Sequence, residues 1–409
     1  MFKLTFVLVF WSVFCYAQPK LGIWRGVLSL NPKERIDLPF NFEIKKTNKS
    51  FQIIIHNAQE RIIVDEVVLH KDSFNFKMPV FDTEFRTKLV GDSMLSGIWI
   101  NHTKKDNNII TFNANANELR RFIVTSNNTT NFYEGKWEVT FSPNTIDSSK
   151  AIGMFTYSSN NEKVYGTFLT ETGDYRYLEG VEFDDKLYLS CFDGSHAFLF
   201  SAEKNEKEII NSNFYSGSTW HEKWIAKRNE NFELRDPEKL TFIKDPNTAI
   251  NFSFYNIKNE KISLSDKKFQ NKAVIIQIMG SWCPNCMDES AYLSEVYKKY
   301  NKKGLEIIAL AYERTSDTER AKLNLQRLSK RFDIGYEILF TGLTGKDKAS
   351  ESLPFLNGIM AFPTTVFLDP NHVVKSIYTG FSGPATGKAY NEYTIKTEKL
   401  INELILKEK

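Results

Sequence analysis

Two regimes of hydrophobic patterning divide the chain. From Leu21 to Arg228, apolar positions alternate with polar ones in short runs, punctuated by Asn, Asp, Gly and Lys. The runs 38–44, 51–55, 61–68 and 109–114 are rich in Ile, Val and Phe. This period predicts antiparallel strands joined by tight turns, and nowhere in this half does a helical period persist. From residue 251 the regime changes. After two short β-like pieces at 251–256 and 261–264, continuous apolar runs at 273–279 and 305–311 alternate with amphipathic segments at 287–300 and 317–332. Further strands are expected at 336–340, 364–368 and 372–378, with a closing helix over 389–407. Strands alternating with helices predict a central sheet covered on both faces. The expected fold is therefore multidomain, an N-terminal antiparallel all-β region followed by a C-terminal α/β domain.

The β half carries an internal echo. Gly22-Ile23-Trp24 opens one stretch and Gly135-Lys136-Trp137 opens another. Their ends also read alike, Leu95-Ser96-Gly97-Ile98-Trp99 against Tyr215-Ser216-Gly217-Ser218-Thr219-Trp220. The match predicts two related β units of about 110 residues each, over 18–128 and 129–229. One large sandwich with coincident tryptophans is the competing arrangement. Small closed barrels that begin with a G-x-W strand can hold an apolar ligand, but tryptophans filling the cores are the simpler expectation. Residues 230–250 are charged and contain Asp236-Pro237 and Asp245-Pro246. Such steps favour extended chain and turns, so a linker is expected there, before a domain over 251–409.

Composition refines this picture in two places. With 42% hydrophobic and 14% aromatic residues in 409, the chain has ample material for several cores and no signature of disorder. Lys+Arg 53 against Asp+Glu 50 leaves only +3, spread without a basic stripe, so nucleic acid is not an expected partner. The N-terminus matters more. Met1-Phe2-Lys3 precedes an apolar stretch over 4–14 that is too short to span a bilayer, and Cys15-Tyr16-Ala17 supplies small residues for cleavage before Gln18. A signal peptide over 1–17 is expected. Acylation of Cys15 is the alternative, disfavoured by the bulky Phe14 before it. No later run reaches membrane-spanning length, so the expected product is exported and soluble, in a periplasm or cell envelope.

Export leaves three thiols, Cys191, Cys283 and Cys286, in a compartment that permits disulfides. Cys191 lies in the strand-like run L-Y-L-S-C-F-D-G and is expected to serve as a small buried hydrophobe. The other two stand in G-S-W-C-P-N-C, residues 280–286, between the apolar run and the first amphipathic segment. Strand, turn with C-x-x-C, then helix is the context in which this spacing means redox chemistry. A cysteine at the first turn of a helix faces free backbone N–H groups and the positive end of the dipole, which favour a thiolate. Pro284 suits the first helical position. Cys286 sits one turn above Cys283, so the outer sulfur is expected to attack and the inner one to resolve. A zinc site would need two more Cys or His ligands at recognisable spacing; there is no second pair and the six histidines are scattered, so no metal is expected. A purely structural disulfide is disfavoured by the same strand–turn–helix setting.

G-S-W-C-P-N-C after V-I-I-Q-I-M, together with A-F-P-T-T-V-F-L-D at 361–369, resembles the exported TlpA/ResA-like thiol–disulfide oxidoreductases of the thioredoxin fold. The two motifs say nothing of residues 1–240. The resemblance implies a thioredoxin-fold C-terminal domain and catalytic Cys283 and Cys286 that form a redox disulfide. It also implies a cis bond at Pro363, preceded by Phe362, beside the sulfurs. A cis X-Pro bond turns the chain tightly and frees the preceding backbone to pair with an extended substrate. In the resembling family the usual direction is reduction, fed by a membrane thiol carrier, with no organic cofactor or metal. A bacterial setting follows, in which sequons such as Asn101-His102-Thr103 carry no glycan.

Departures from the family pattern are informative. Where thioredoxin proper carries a titratable Asp, this chain has Gln277, which TlpA/ResA-like members share as a polar amide. That leaves open which group deprotonates Cys286. Glu313, after the second strand, and Glu289, in the active-site helix, are the candidates for proton-transfer support. The family's usual proline two residues past that glutamate is Ala291 here. Trp282 is expected to shield the sulfur and offer an apolar platform to a substrate, alongside Phe362 and Pro363, or simply to pack. The expected function is an exported reductase of protein disulfides acting in cell redox homeostasis and antioxidant defence. One rival is a thiol peroxidase on the same fold, whose P-x-x-x-T-x-x-C setting is absent at Cys283. A second is an envelope protein in which the β region binds a ligand or partner as the main role.

Overall fold

The computed structural model describes residues 17–48, 50–104, 106–124, 129–245 and 250–406. The expected signal segment up to Tyr16, with Cys15, lies outside the described residues, as does Pro246.

The first sheet comprises β1 (Gly22–Asn31), β2 (Ile36–Lys46), β3 (Phe51–Asn57), β4 (Glu60–Val64), β5 (Glu66–His70), β6 (Ser73–Lys77), β7 (Thr83–Val90), β8 (Met94–Asn101) and β9 (Ile109–Ala116). Their order is β4-β3-β2-β1-β9-β8-β7-β6-β5, antiparallel throughout. The two outer strands, β4 and β5, are consecutive in the chain, so the sheet curls until its edges face each other. Ser50 Oγ, just before β3, donates to the Val67 carbonyl of β5 (2.8 Å) across that seam. The single strand expected over 61–68 is thus two. Burial falls on Ile62 and Val64 and then on Val67, a slip of parity at Asp65 that takes the chain from one edge of the sheet to the other.

The second sheet comprises β10 (Gly135–Phe141), β11 (Ser149–Tyr157), β12 (Val164–Thr170), β13 (Gly173–Asp174), β14 (Leu178–Phe183), β15 (Lys186–Phe192), β16 (Ala197–Lys204), β17 (Glu208–Ser216) and β18 (Trp220–Arg228). Beyond the ladder β11-β10-β18-β17-β16-β15-β14-β12, β11 pairs with β12, which closes the ring into a barrel. Closure removes the exposed edges of the sheet. Aromatic rings pack through its interior, with Phe168 stacked on Phe200 (4.6 Å) and Phe200 on Phe214 (4.3 Å). Cys191 lies in this core, fully buried, and burial pushes its thiol far above the usual range.

The two units open in the same way. Gly22 and Gly135 take positive φ (106° and 103°), and Trp24 and Trp137 are fully buried. Each indole N–H donates to the carbonyl four residues earlier, Lys20 at 2.9 Å and Tyr133 at 2.8 Å. The expected likeness of their endings does not hold. Gly97 lies inside β8, where a Cβ would stand 2.1 Å from the Arg86 carbonyl oxygen, and Trp99 is buried. Gly217 takes a positive φ (63°) in the turn between β17 and β18, and Trp220 is 55% exposed. The same letters serve a close strand approach in one unit and a turn in the other. The two sheets also share a core: Phe192 of the barrel stacks on Phe40 of β2 (4.6 Å) and meets Trp99 edge-on (5.4 Å).

The third unit runs β19 (Ser253–Asn256), β20 (Lys261–Ser263), β21 (Ala273–Met279), α1 (Pro284–Tyr300), β22 (Leu305–Ala311), α2 (Thr318–Phe332), β23 (Glu337–Phe340), α3 (Gly345–Ser352), β24 (Thr364–Leu368), β25 (Val374–Thr379) and α4 (Lys388–Leu406). Its sheet order is β20-β19-β23-β22-β21-β24-β25, with β21, β22 and β23 parallel and β24 and β25 antiparallel. This is a thioredoxin-like α/β domain. Every residue of β21 is buried, as a central strand covered on both faces requires. The charged segment before this domain does not swing free. Asp236 caps a short 3-10 turn at Pro237–Lys239, the Thr241 N–H donates to Thr379 Oγ1, and Ile243 pairs with Leu356.

Candidate active site

The site grows out of the junction between β21 and α1. The strand ends at Met279, and at Gly280 a Cβ would stand 2.3 Å from Trp282 Nε1, so only glycine lets the chain turn there with the indole folded back. Cys283 is the N-cap of α1 in an extended conformation (φ −98°, ψ 115°), and its sulfur accepts the Cys286 N–H at 3.4 Å. Pro284 takes the first helical position, where its missing N–H costs nothing. The Cys283 thiol also lies 3.4 Å from the Phe362 carbonyl, and the Phe362–Pro363 bond is cis. Cys283 is 8% exposed, whereas Cys286 is fully buried behind it; both are free thiols. Burial, then the hydrogen bond and charge of Cys283, push the Cys286 thiol well above the usual range.

Behind Cys286 lies a buried polar set. Gln277 Nε2 donates to Glu289 Oε2 (2.9 Å) and approaches the Cys286 carbonyl (3.4 Å), while Ser290 Oγ donates to Gln277 Oε1 (3.2 Å). The other Glu289 oxygen accepts from Thr365 (2.6 Å) and Tyr393 (3.2 Å). Burial outweighs these hydrogen bonds and pushes the Glu289 carboxyl up to about 7. Glu289 also acts electrostatically on the Cys286 thiol. Glu313 is placed elsewhere. Its two oxygens accept the N–H (2.8 Å) and O–H (2.7 Å) of Ser281, pinning the loop ahead of Trp282. The Trp282 N–H donates to the Tyr312 carbonyl (2.9 Å), its ring meets Phe362 edge-on (5.6 Å), and the Arg314 guanidinium stacks on it (3.7 Å). Trp282, Phe362 and Pro363 therefore gather around Cys283, and of the two glutamates only Glu289 stands behind the thiol pair.

Comparison with known proteins identifies relatives of part of the chain. A family model described as AhpC/TSA family matches residues 246–377. The thiol–disulfide oxidoreductase ResA of Bacillus thuringiensis subsp. konkukian is 30% identical over 160 residues, covering 39% of this chain and 80% of the relative. ResA of Geobacillus kaustophilus is 31% identical over 133 residues, covering 32% and 68%. The chain belongs to the ResA family of thiol–disulfide oxidoreductases. Among solved structures, a thioredoxin-family thiol:disulfide interchange protein from Chlorobium tepidum aligns with a TM-score of 0.29 at 18% identity, over 38% of this chain and 94% of its own. No helix among the described residues is long and apolar enough to cross a membrane.

The β region places a roof on α1, a feature without a sequence signature. Arg176, between β13 and β14, is 1% exposed. Its guanidinium donates to the Pro284 carbonyl (3.2 Å), to Asp288 of α1 and to Glu60 at the start of β4, and lies 3.2 Å from Asp193. Burial opposes its charge, but Asp288, Glu60 and Asp193 more than offset it, so Arg176 stays firmly protonated. One side chain thus ties both β units to the N-terminal end of α1. Ser195 Oγ donates to the Trp282 carbonyl (3.2 Å), Asp174 accepts the Gly383 N–H (2.6 Å), and Met287 packs against the core of the first sheet. At Gly173 (φ 146°) a Cβ would stand 1.8 Å from Asn285 Nδ2, so glycine is what lets the hairpin settle on the C-P-N-C turn.

Proposed function

We propose that the protein is an exported reductase of protein disulfides, working through Cys283 and Cys286. The reading rests chiefly on one arrangement: Cys283 caps the helix beside the Phe362 carbonyl, with Cys286 one turn behind and closed to solvent. The Cys283 thiolate attacks one sulfur of the substrate disulfide, forming a mixed disulfide and releasing the other sulfur as thiolate. Cys286, deprotonated, then attacks the Cys283 sulfur. The Cys283–Cys286 bond forms, the second substrate thiol leaves, and two electrons have passed from enzyme to substrate. A dithiol donor at the membrane returns the pair to the reduced state by the reverse exchange.

Burial holds Cys286 protonated, so the second step needs a proton acceptor. Glu289, poised near neutrality and linked through Gln277 to the Cys286 carbonyl, fills that role. Glu313 holds the loop through Ser281. Trp282, Phe362 and Pro363 form the surface against which the substrate lies. Export rests on the charged start, apolar stretch and small residues of 1–17.

The reading is tested by trapping. Cys286→Ala expressed in the native cell should hold extracytoplasmic proteins as reducible adducts on Cys283, and Cys283→Ala/Cys286→Ala should hold none. Recovery of no adduct, or of the same proteins with the double variant, would count against it.

A further inference from the structure

Cys283 lies at the floor of a cleft of about 560 Å³ whose walls come from all three units. The first sheet contributes Trp99 and Lys104, the barrel contributes Phe198, Phe214 and Trp220, and the redox loop contributes Trp282 and Arg314. With 8% of its surface exposed, Cys283 is beyond the reach of a disulfide held flat on a folded surface. A second cleft of about 360 Å³ continues beyond the stacked Trp282–Arg314 pair, along Thr172, Ala361 and Phe362. A strand of polypeptide has a way in over the sulfur and a way out along the cis-proline loop.

The chemistry of the walls is specific. Lys104 Nζ would stand 3.5 Å from a Cβ on Gly217, so it bridges the cleft from one β unit to the other, and the charge acting on it is that of the like-charged Arg314. The carboxylate next to Arg314 in sequence, Glu313, is taken up by Ser281. The acids that line the cleft are likewise engaged: Asp174 by the N–H groups of Gly383 and Arg176, Glu222 by Ser142 and Trp220. Arg314 already feels the charges of Cys283 and Glu313, whereas no carboxylate pairs with Lys104 among the described residues, which leaves Lys104 as the cation most open to an incoming anion. Asn285 Oδ1 is buried without a hydrogen-bond partner among the described residues, an acceptor for a peptide N–H. Aromatic walls complete a surface suited to side chains.

We infer that the β region is the specificity element of the exchange site, and that its ligand is an unfolded, acidic polypeptide segment carrying the disulfide. This rests on the exchange reading above and names its substrate class. Lys104 and Arg314 pair with Asp or Glu beside the half-cystine, and Asn285 takes a backbone N–H. A folded domain is turned away by the walls.

The test uses two short synthetic peptides that differ only in having aspartates or lysines beside a half-cystine in mixed disulfide. The wild-type chain should reduce the acidic peptide with about tenfold higher kcat/KM than the basic one. That ratio should fall toward unity as salt rises, since exposed charges are screened beyond about 10 Å at 0.1 M. Lys104→Glu should lower the ratio about tenfold, whereas Lys88→Glu, the same charge change on an exposed strand position, should leave it unchanged. A ratio near unity in the wild type, a ratio indifferent to salt, or Lys104→Glu behaving as Lys88→Glu would overturn the inference while leaving Cys283-dependent reduction of both peptides intact. Reduction of neither peptide would overturn the exchange reading and this inference with it.

Discussion

Cys283→Ala abolishes disulfide reduction, with turnover falling on the order of 10³-fold or more, while Cys286→Ala stalls the same reaction one step later. The asymmetry follows from where the two sulfurs sit. Cys283 caps the helix and faces the cleft; Cys286 is fully buried and its proton is held tightly. A substrate meets only the first. Without Cys286 the mixed disulfide has no internal thiol to resolve it, so steady-state turnover is lost although one equivalent of substrate thiol is still released. Rapid mixing with a peptide held in mixed disulfide, followed by quantification of the released peptide thiol alone, separates the two variants: no burst for Cys283→Ala and a burst of about one equivalent for Cys286→Ala. Equal bursts would contradict the assignment of roles.

Arg176→Met destabilises the protein by about 3–5 kcal/mol at neutral pH, the range seen when one partner of a buried ionic cluster is removed. Glu60, Asp193 and Asp288 lose their shared cation, and the tie between the β units and α1 goes with it. The pH dependence identifies the cause. Burial pushes the Asp288 carboxyl up to about 7, with Arg176 pulling against it. A carboxyl whose folded value is raised contributes stability that is fully present below its unfolded value, about 4, and is lost as pH rises through 7. Removing Arg176 leaves Asp288 still harder to ionise, so the penalty should shrink as pH falls from 8 toward 5. Urea unfolding of both proteins across that range measures it. A penalty independent of pH would mean that packing alone accounts for Arg176.

Much of the C-terminal domain was legible because its strands and helices differ in period. Ala273–Met279, Leu305–Ala311 and Thr364–Leu368 are continuous apolar runs, bounded by segments with one polar face. The helix Gly345–Ser352 escaped because only Ala349 in G-K-D-K-A-S-E-S is buried. In the β region Gly22-Ile23-Trp24 and Gly135-Lys136-Trp137 carry a true equivalence, since each needs the same positive φ and the same indole bond. The S-G pairs carry none, because a strand glycine and a turn glycine look alike in sequence. The placement of the two thiols was legible from the strand–turn–helix setting, which puts Cys283 at the N-cap of α1 and Cys286 one turn on. The choice between Glu289 and Glu313 could not be made that way, as each stands close to the redox loop and only the packing of α1 on β21 and β24 puts Glu289 behind Cys286. Arg176 had no local signal at all. Its three acids come from positions 60, 193 and 288, and a lone arginine in G-D-Y-R-Y-L reads as a surface residue.

The central claim is that one sulfur receives the substrate and its neighbour waits, shielded, to displace it. Brief alkylation of the reduced native protein with iodoacetamide at neutral pH, read by intact mass and peptide mapping, tests this most directly. The account predicts one adduct, on Cys283, with Cys286 and Cys191 modified only after unfolding. Labelling of Cys286 ahead of Cys283, or equal labelling of the two, would contradict it.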